Sequence, residues 1–321
     1  MKLLLGYDGS RFADAAIKDL QLAGMPSRCD ATVLTAEAFN EPAFVVDRAS
    51  AAAGGTPFGE IEAVRQSEFE SATLGAQKMA EAGAKLLRET FPSWLVRPKG
   101  VIGDPAEQLI REASQSGPDL VVVGSQGRSV IGRIFFGSVS KSVLDHAGTS
   151  VRICRERPVD RKDEPARILV AVDGSPDANV MLGVIMSRDW EEGTEIRLIA
   201  VDDPLKRSEY GYLIWNVDED KPEDNPRARE WIHRVLTVPI QSLQMLGLNT
   251  FGVIRWGDAG NKILQEAEEW KADSIFMGAR GLGRFRRFLL GSVSSFVAAR
   301  AACSVEVIRA KVDGSKAEKS P

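Results

Sequence analysis

Short apolar and β-branched runs alternate along the chain with longer stretches whose apolar residues recur every three or four positions. The runs have the character of strands buried in a parallel sheet, and the longer stretches that of amphipathic helices laid over it. In the first half the predicted strands are Lys2 to Tyr7, Ala31 to Ala36, Arg97 to Ile102, Leu120 to Gly124 and Ser150 to Arg155. In the second half they are Ile168 to Asp173, Glu195 to Val201, Asn249 to Arg255, Ser274 to Gly278 and Ser304 to Arg309. Helical periodicity is clearest over Glu68 to Phe91 and Arg227 to Leu246. Five strands and four helices per half, with helices on both faces of a parallel sheet, make an α/β fold.

The halves are copies of one unit. Leu4-Leu5-Gly6-Tyr7-Asp8-Gly9-Ser10 corresponds to Val170-Ala171-Val172-Asp173-Gly174-Ser175, each an apolar run ending in Asp-Gly-Ser. Further on, Gly103-Asp104 matches Gly257-Asp258, and Gly137-Ser138-Val139-Ser140 matches Gly291-Ser292-Val293-Ser294. Between these blocks the second copy is shorter, where both carry an irregular segment: Phe39 to Glu60 and Asp202 to Arg227. Both segments follow the second strand, at the carboxyl edge where ligands bind such sheets, so a lid and a plain surface excursion are equal readings. Charged residues bracketed by Pro158 and Pro165 mark the join. The expected domains are residues 1–156 and 167–310, with a linker over 157–166 and a fraying polar tail over 311–321.

Composition excludes several classes. With 44% hydrophobic and 27% charged residues in 321, each half has material for a core, and disorder is ruled out. A formal net charge of −4 provides no global field for nucleic acid or an anionic membrane. The three-leucine run at the start meets Gly6 and Asp8 too early for a signal peptide or a membrane span, so a cytoplasmic location is expected. Cys29, Cys154 and Cys303 are too scattered for a disulfide framework, and with His146 and His233 far apart no metal site is expected from protein ligands.

The most informative motif is Gly-x-x-Gly, nine residues, then Gly-Ser: Gly124, Gly127, Gly137, Ser138, and again Gly278, Gly281, Gly291, Ser292. Glycine after a buried strand lets backbone N–H groups approach a ligand with no Cβ in the way. The Gly-Ser pair opens a helix whose unpaired amides suit an anion, with the Ser hydroxyl as donor or cap. A single instance reads equally well as an ordinary turn and cap; recurrence at one spacing after the same kind of strand favours phosphate binding. Asp8 and Asp173 end the first strand of each half and either start a turn and cap or face a nucleoside in the crevice. Cations in or beside the loops, Arg128, Arg133, Lys141, Arg280, Arg284, Arg286 and Arg287, offer charge to a triphosphate or lie on a solvated face.

Together with His146-Ala147 and the closing strand Val151 to Arg155, these residues resemble the universal stress proteins over nearly the whole chain, in tandem. The resemblance implies a strand order of 3-2-1-4-5 and an internal pseudo-dimer paired through the fifth strands, with a homodimer left open. It also implies ATP at the carboxyl edge, with Mg or Mn held by the phosphates. On matching positions, Asp8 and Asp173 line the adenine or ribose pocket, with Val201 against the base. Gly124 and Gly278 approach the ribose. Gly127, Gly137, Ser138 and Val139, with Gly281, Gly291, Ser292 and Val293, hold the phosphates. Tyr7, where a small residue is usual, and Ala36-Glu37 in place of Ala200-Val201 are expected to narrow the first pocket.

No base or nucleophile is offered by the loops, so no catalytic residue is expected and hydrolysis is slow at most. The leading expectation is a nucleotide-dependent stress-response regulator acting on a protein partner. The alternative is an ATP-using ligase or adenylyltransferase, whose further motifs Ser-Gly-Gly-x-Asp-Ser and His-x-Gly-His are missing.

Overall fold

The computed structural model describes residues 1–38, 57–126, 136–157, 161, 164–202, 226–281 and 290–310. The first half runs β1 (Lys2–Gly6), α1 (Arg11–Asp19), β2 (Asp30–Glu37), α2 (Pro57–Thr90), β3 (Leu95–Ile102), α3 (Pro105–Ser116), β4 (Leu120–Gly124), α4 (Ser138–His146) and β5 (Ser150–Cys154). The second runs β6 (Arg167–Val172), α5 (Pro176–Met186), β7 (Glu195–Asp202), α6 (Pro226–Ile232), α7 (Val238–Met245), β8 (Asn249–Trp256), α8 (Ala259–Glu269), β9 (Ser274–Gly278), α9 (Ser292–Arg300) and β10 (Ser304–Ile308). The strand expectations hold to within a residue or two at each end.

Two differences concern helices. α2 begins at Pro57, inside the stretch expected to be irregular, because Gly54, Gly55 and Gly59 obscure in the sequence the spacing of Phe58, Ile61 and Val64. The single helix expected over Arg227 to Leu246 is split into α6 and α7 by a π-helical turn, His233–Thr237. Pro239, which has no N–H to give, follows that widened turn. The 311–321 tail and most of the two long segments lie outside the described residues.

All ten strands form one sheet in the order β3-β2-β1-β4-β5-β10-β9-β6-β7-β8. Within each half the order is the expected 3-2-1-4-5 and every pairing is parallel. The halves join through β5 and β10, the one antiparallel pair among the described residues, with Glu306 opposite Arg152. A parallel strand needs its neighbours on both faces covered, and the helices do this unequally. On the side of α3, α4, α8 and α9 a single apolar core runs through both halves, from Leu4 and Val121 to Val305 and Ile275. On the other side each half has its own core, around Ile17 and Leu87 in the first and Met181 and Leu243 in the second.

Between those two separate cores lies a buried polar seam. Arg152, fully buried, donates from Nε to Asp19 at 2.7 Å, from Nη1 to Glu306 at 3.2 Å and from Nη2 to Ser274 at 2.7 Å. Arg188 also pairs with Glu306, and Ser304 donates to Asp19 at 2.6 Å. Two further arginines act reciprocally: Arg155 at the end of β5 donates to Ala298 O of α9, and Arg309 after β10 donates to Leu144 O of α4, each at 2.6 Å. Each half thus supplies a cation to the carboxyl end of the other half's last helix, where the helix dipole favours one. In the segment expected to be a linker, Arg157 and Arg161 hold buried Asp273 at 2.9 and 3.1 Å, and Ala166 at its end is buried in the core of the second half.

Close packing at the first edge depends on Gly100 in β3. Its N–H donates to Gln77 Oε1 at 2.8 Å, and a Cβ there would stand 2.3 Å from the Gln77 backbone nitrogen. Gly100→Ala is expected to push α2 off the sheet and cost about 1–3 kcal/mol, the usual range for overpacking. A urea unfolding midpoint equal to that of the unsubstituted chain would contradict the contact.

Candidate functional site

At the carboxyl edge of each half, the end of the first strand meets the start of the fourth strand's loop. The Asp-Gly-Ser segments there are turns and caps at once. Asp8 Oδ1 accepts from Ser10 N at 3.0 Å, and Ser10 Oγ accepts from Ala13 N at 3.2 Å to cap α1. Asp173 Oδ1 accepts from Ser175 N at 2.9 Å, and Ser175 Oγ accepts from Ala178 N at 3.2 Å to cap α5. Gly9 and Gly174 take φ values of 73° and 78°, which explains glycine in the middle of each turn. One carboxylate oxygen is therefore committed to holding the turn, and the aspartate is fixed in place by it.

The fourth-strand loop is closed at its base. Ser125 N donates to Cys154 O and Gly137 N to Ser125 O; in the second half Ala279 N donates to Ile308 O and Gly291 N to Ala279 O. Of the two roles open to the serine, donor or cap, it does not take the cap. Gly137 and Gly291 are the N-caps, and neither has a side chain to offer. The first bond within each helix is Lys141 N to Gly137 O or Ser295 N to Gly291 O, so the amides of Ser138, Val139 and Ser140, and of Ser292, Val293 and Ser294, precede it. Ser138 and Ser292 are exposed. It is the second serine of each motif that is structural: Ser140 Oγ donates to Gly124 O at 2.6 Å and Ser294 Oγ to Gly278 O at 2.9 Å. Sequence alone could not say which hydroxyl faced inward.

Gly281 brings loop and turn together in the second half. A Cβ on it would lie 2.7 Å from Asp173 Oδ2. Val201 joins them from β7, partly buried against the same core as α8 and α9. Gly124 and Gly278 have a plainer explanation than ligand approach. A Cβ would lie 3.0 Å from Phe12 O in one case and 3.0 Å from Asp177 Cβ in the other, so the first helix of each half needs glycine there to pack. Gly127 lies outside the described residues, as do Arg128, Arg133, Arg284, Arg286 and Arg287.

One expectation is corrected, and two readings left open are narrowed. Tyr7 does not narrow the first pocket: its ring belongs to the α1 and α2 side, where its hydroxyl donates to Asp14 at 2.7 Å and a Cβ on Gly83 would strike it. Arg280 is engaged in a bidentate pair with buried Asp177, at 3.0 and 3.1 Å, which ties the start of the second loop to α5. Lys141 pairs with Asp145 at 2.7 Å along its own helix. The sequence reading also missed the Asp177–Arg280 tie, which Phe12 and Gln126 replace in the first half, and the Arg152 seam. A signal existed for the seam: a lone charge amid Val151 and Ile153, and the opposite charge at the matching position between Val305 and Val307.

The thiols stand apart from this chemistry. Burial pushes Cys29 up to about 11, Cys303 up to about 12 and Cys154 well above its ordinary value. At pH 8 about one Cys29 in a thousand is then thiolate. The native protein is expected to resist a thiol-specific reagent at that pH and to yield three reactive thiols in denaturant; fast labelling of the native chain would refute this.

Two parallel half-sheets joined end to end, each with a glycine-capped helix and a turn-locked aspartate at its carboxyl edge, define a tandem α/β protein. The model of the universal stress protein family matches residues 1–155 and again 165–309. The chain belongs to that family. A universal stress protein of Mycobacterium tuberculosis is 25% identical over 217 residues, spanning 67% of this chain and 69% of that one. One from Synechocystis is 29% identical over 153 residues, 44% of this chain and 97% of its own. Among solved structures, a universal stress protein from Archaeoglobus fulgidus shares the fold with a TM-score of 0.59 at 20% identity, covering 96% of this chain and 98% of that one. No helix among the described residues is long and apolar enough to cross a membrane.

Proposed function

We propose that the chain binds ATP at the carboxyl edge of its halves and acts as a nucleotide-dependent regulator in the response to stress, with slow hydrolysis at most. The observation that carries this reading is the glycine N-cap of α4 and α9. Among the described residues it leaves three leading amides in each helix with no side-chain cap, on the same sheet edge as a turn-locked aspartate. Donors and a dipole end with no side-chain cap to satisfy them suit phosphate oxygens. The donor set therefore fits the group.

In this reading Gly137, Ser138 and Val139, with Gly127, hold phosphates in the first half, and Gly281, Gly291, Ser292 and Val293 do so in the second. Asp8 and Asp173 receive the ribose or base, beside Gly124 and Gly278, and Val201 lies against the base. Mg or Mn would enter with the phosphates. When bound, ATP supplies a charged, phosphate-rich surface that a protein partner can distinguish from the free loops. These residues position the nucleotide: the helix N-termini contribute amides and hydroxyls, and Asp8 and Asp173 each have one carboxylate oxygen held by its own turn.

Incubating the pure protein with ATP and Mg2+ and following the nucleotide over hours separates the readings. ATP recovered intact from the protein is expected. Rapid release of ADP or pyrophosphate would favour a ligase or adenylyltransferase, and no association at millimolar ATP would refute nucleotide binding.

A further inference from the structure

The two halves are related by an approximate twofold axis that passes through the β5–β10 pair, because the antiparallel register places Arg152 opposite Glu306, the matching position in the other copy. Residues on such an axis meet their own equivalent in any pairing of like with like. Around the axis most partners obey the symmetry. Arg155 N donates to Ser304 Oγ as Arg309 N donates to Ser150 Oγ, and the arginine side chains reach Ala298 O and Leu144 O in the same reciprocal way. Flanking positions are apolar on both strands: Val151 and Ile153 face Val307 and Val305. The central position breaks the symmetry, and it does so with charge.

We propose that Arg152 and Glu306 are a pairing code: β5 of this chain accepts a β10-type strand with a central carboxylate and refuses a second copy of itself, so the chain closes on its own other half. The reciprocal contacts around them would serve a like-with-like pair equally well. Two Arg152 side chains, or two Glu306 side chains, would instead meet at a site where both residues are fully buried. Opposed like charges on a sheet are unfavourable even when exposed, and without water they cannot be screened. The surrounding groups sharpen the choice. Asp19 pairs with Arg152 and Arg188 with Glu306 inside their own halves, so each half brings one acid and one base to the seam, and the ion pair that crosses it, Arg152 with Glu306, forms only when unlike halves meet. Ser274 and Ser304, from β9 and β10, complete hydrogen bonds to Arg152 and Asp19 that come from the opposite half.

Charge reversal in the full chain tests this. Arg152→Glu leaves three acids and one base at the seam, and Glu306→Arg the converse. Each is expected to unfold at a markedly lower temperature than the unsubstituted chain, which is itself expected to run as a monomer by light scattering. Co-refolding the two variants restores neutrality if they exchange halves: the reversed β5 of one chain meets the reversed β10 of the other, and a native pair forms beside it. A 1:1 species of twice the mass is expected, read by native mass spectrometry. Should both single variants fail to fold alone, the double variant Arg152→Glu with Glu306→Arg, neutral within one chain, is expected to fold and to melt in a cooperative transition. Single variants that melt like the unsubstituted chain, a mixture with no 1:1 dimer, or a double variant no better than the singles would each overturn the code.

Discussion

Replacing Arg152 by Met is expected to remove about 3–5 kcal/mol of unfolding free energy, the usual cost of stripping one partner from a buried ion pair. The side chain is fully buried and serves three acceptors from both halves, Asp19, Glu306 and the Ser274 hydroxyl. Met fills much of the volume, so the loss is electrostatic: Asp19 keeps Ser304 and Glu306 keeps Arg188, but each loses its shared cation. An exposed pair offers the control. Lys141 and Asp145 meet at 2.7 Å with the lysine side chain 65% exposed. Lys141→Met is expected to change stability by less than about 1 kcal/mol, since solvent screens such pairs. Denaturant titrations of both variants, compared by midpoint at constant slope, check the contrast. Equal effects would mean that the seam is energetically like the surface.

The second large effect falls on the ligand and spares the fold. Gly281→Val is expected to weaken ATP binding in the second half at least about tenfold, about 1.4 kcal/mol. A Cβ at this position would stand 2.7 Å from Asp173 Oδ2, and Asp173 cannot pivot away without disturbing the bond its Oδ1 accepts from Ser175 N. The loop has to lift or the turn has to open, and either change separates the aspartate from the N-terminus of α9. Gly281 is itself exposed, so no core atoms are displaced and the melting temperature is expected to stay within a few degrees. Calorimetric titration with ATP and Mg2+ resolves the loss. Unaltered affinity for both sites would remove Gly281 and Asp173 from the site together.

The parts of the molecule that were legible in the sequence are those in which the residue type answers a local demand. Glycine spacing after β4 and β9 could be read because closed turns and close helix packing exclude a Cβ wherever they occur, and the Asp-Gly-Ser turns because their hydrogen bonds join residues two and three apart. Strand order came from the family resemblance and not from periodicity. What stayed hidden depends on partners from distant segments. Arg152 reads as an ordinary strand residue until Asp19, Ser274 and Glu306 surround it. Arg280 reads as a cation for a triphosphate or for a solvated face until Asp177 claims it. Tyr7 precedes the aspartate in sequence, yet alternation along a strand turns it to the opposite face of the sheet, under α2.

The central claim is that two glycine-capped helix starts, one in each half, grip the phosphates of ATP. A crystal structure of the protein grown with millimolar ATP and Mg2+ tests it most directly. Phosphate density over the leading amides of α9, and over those of α4 if both halves are competent, with adenosine directed to Asp173 and Val201, is the predicted result. Helix starts that are bare at both ends of the sheet, or filled by the protein's own side chains, would contradict it.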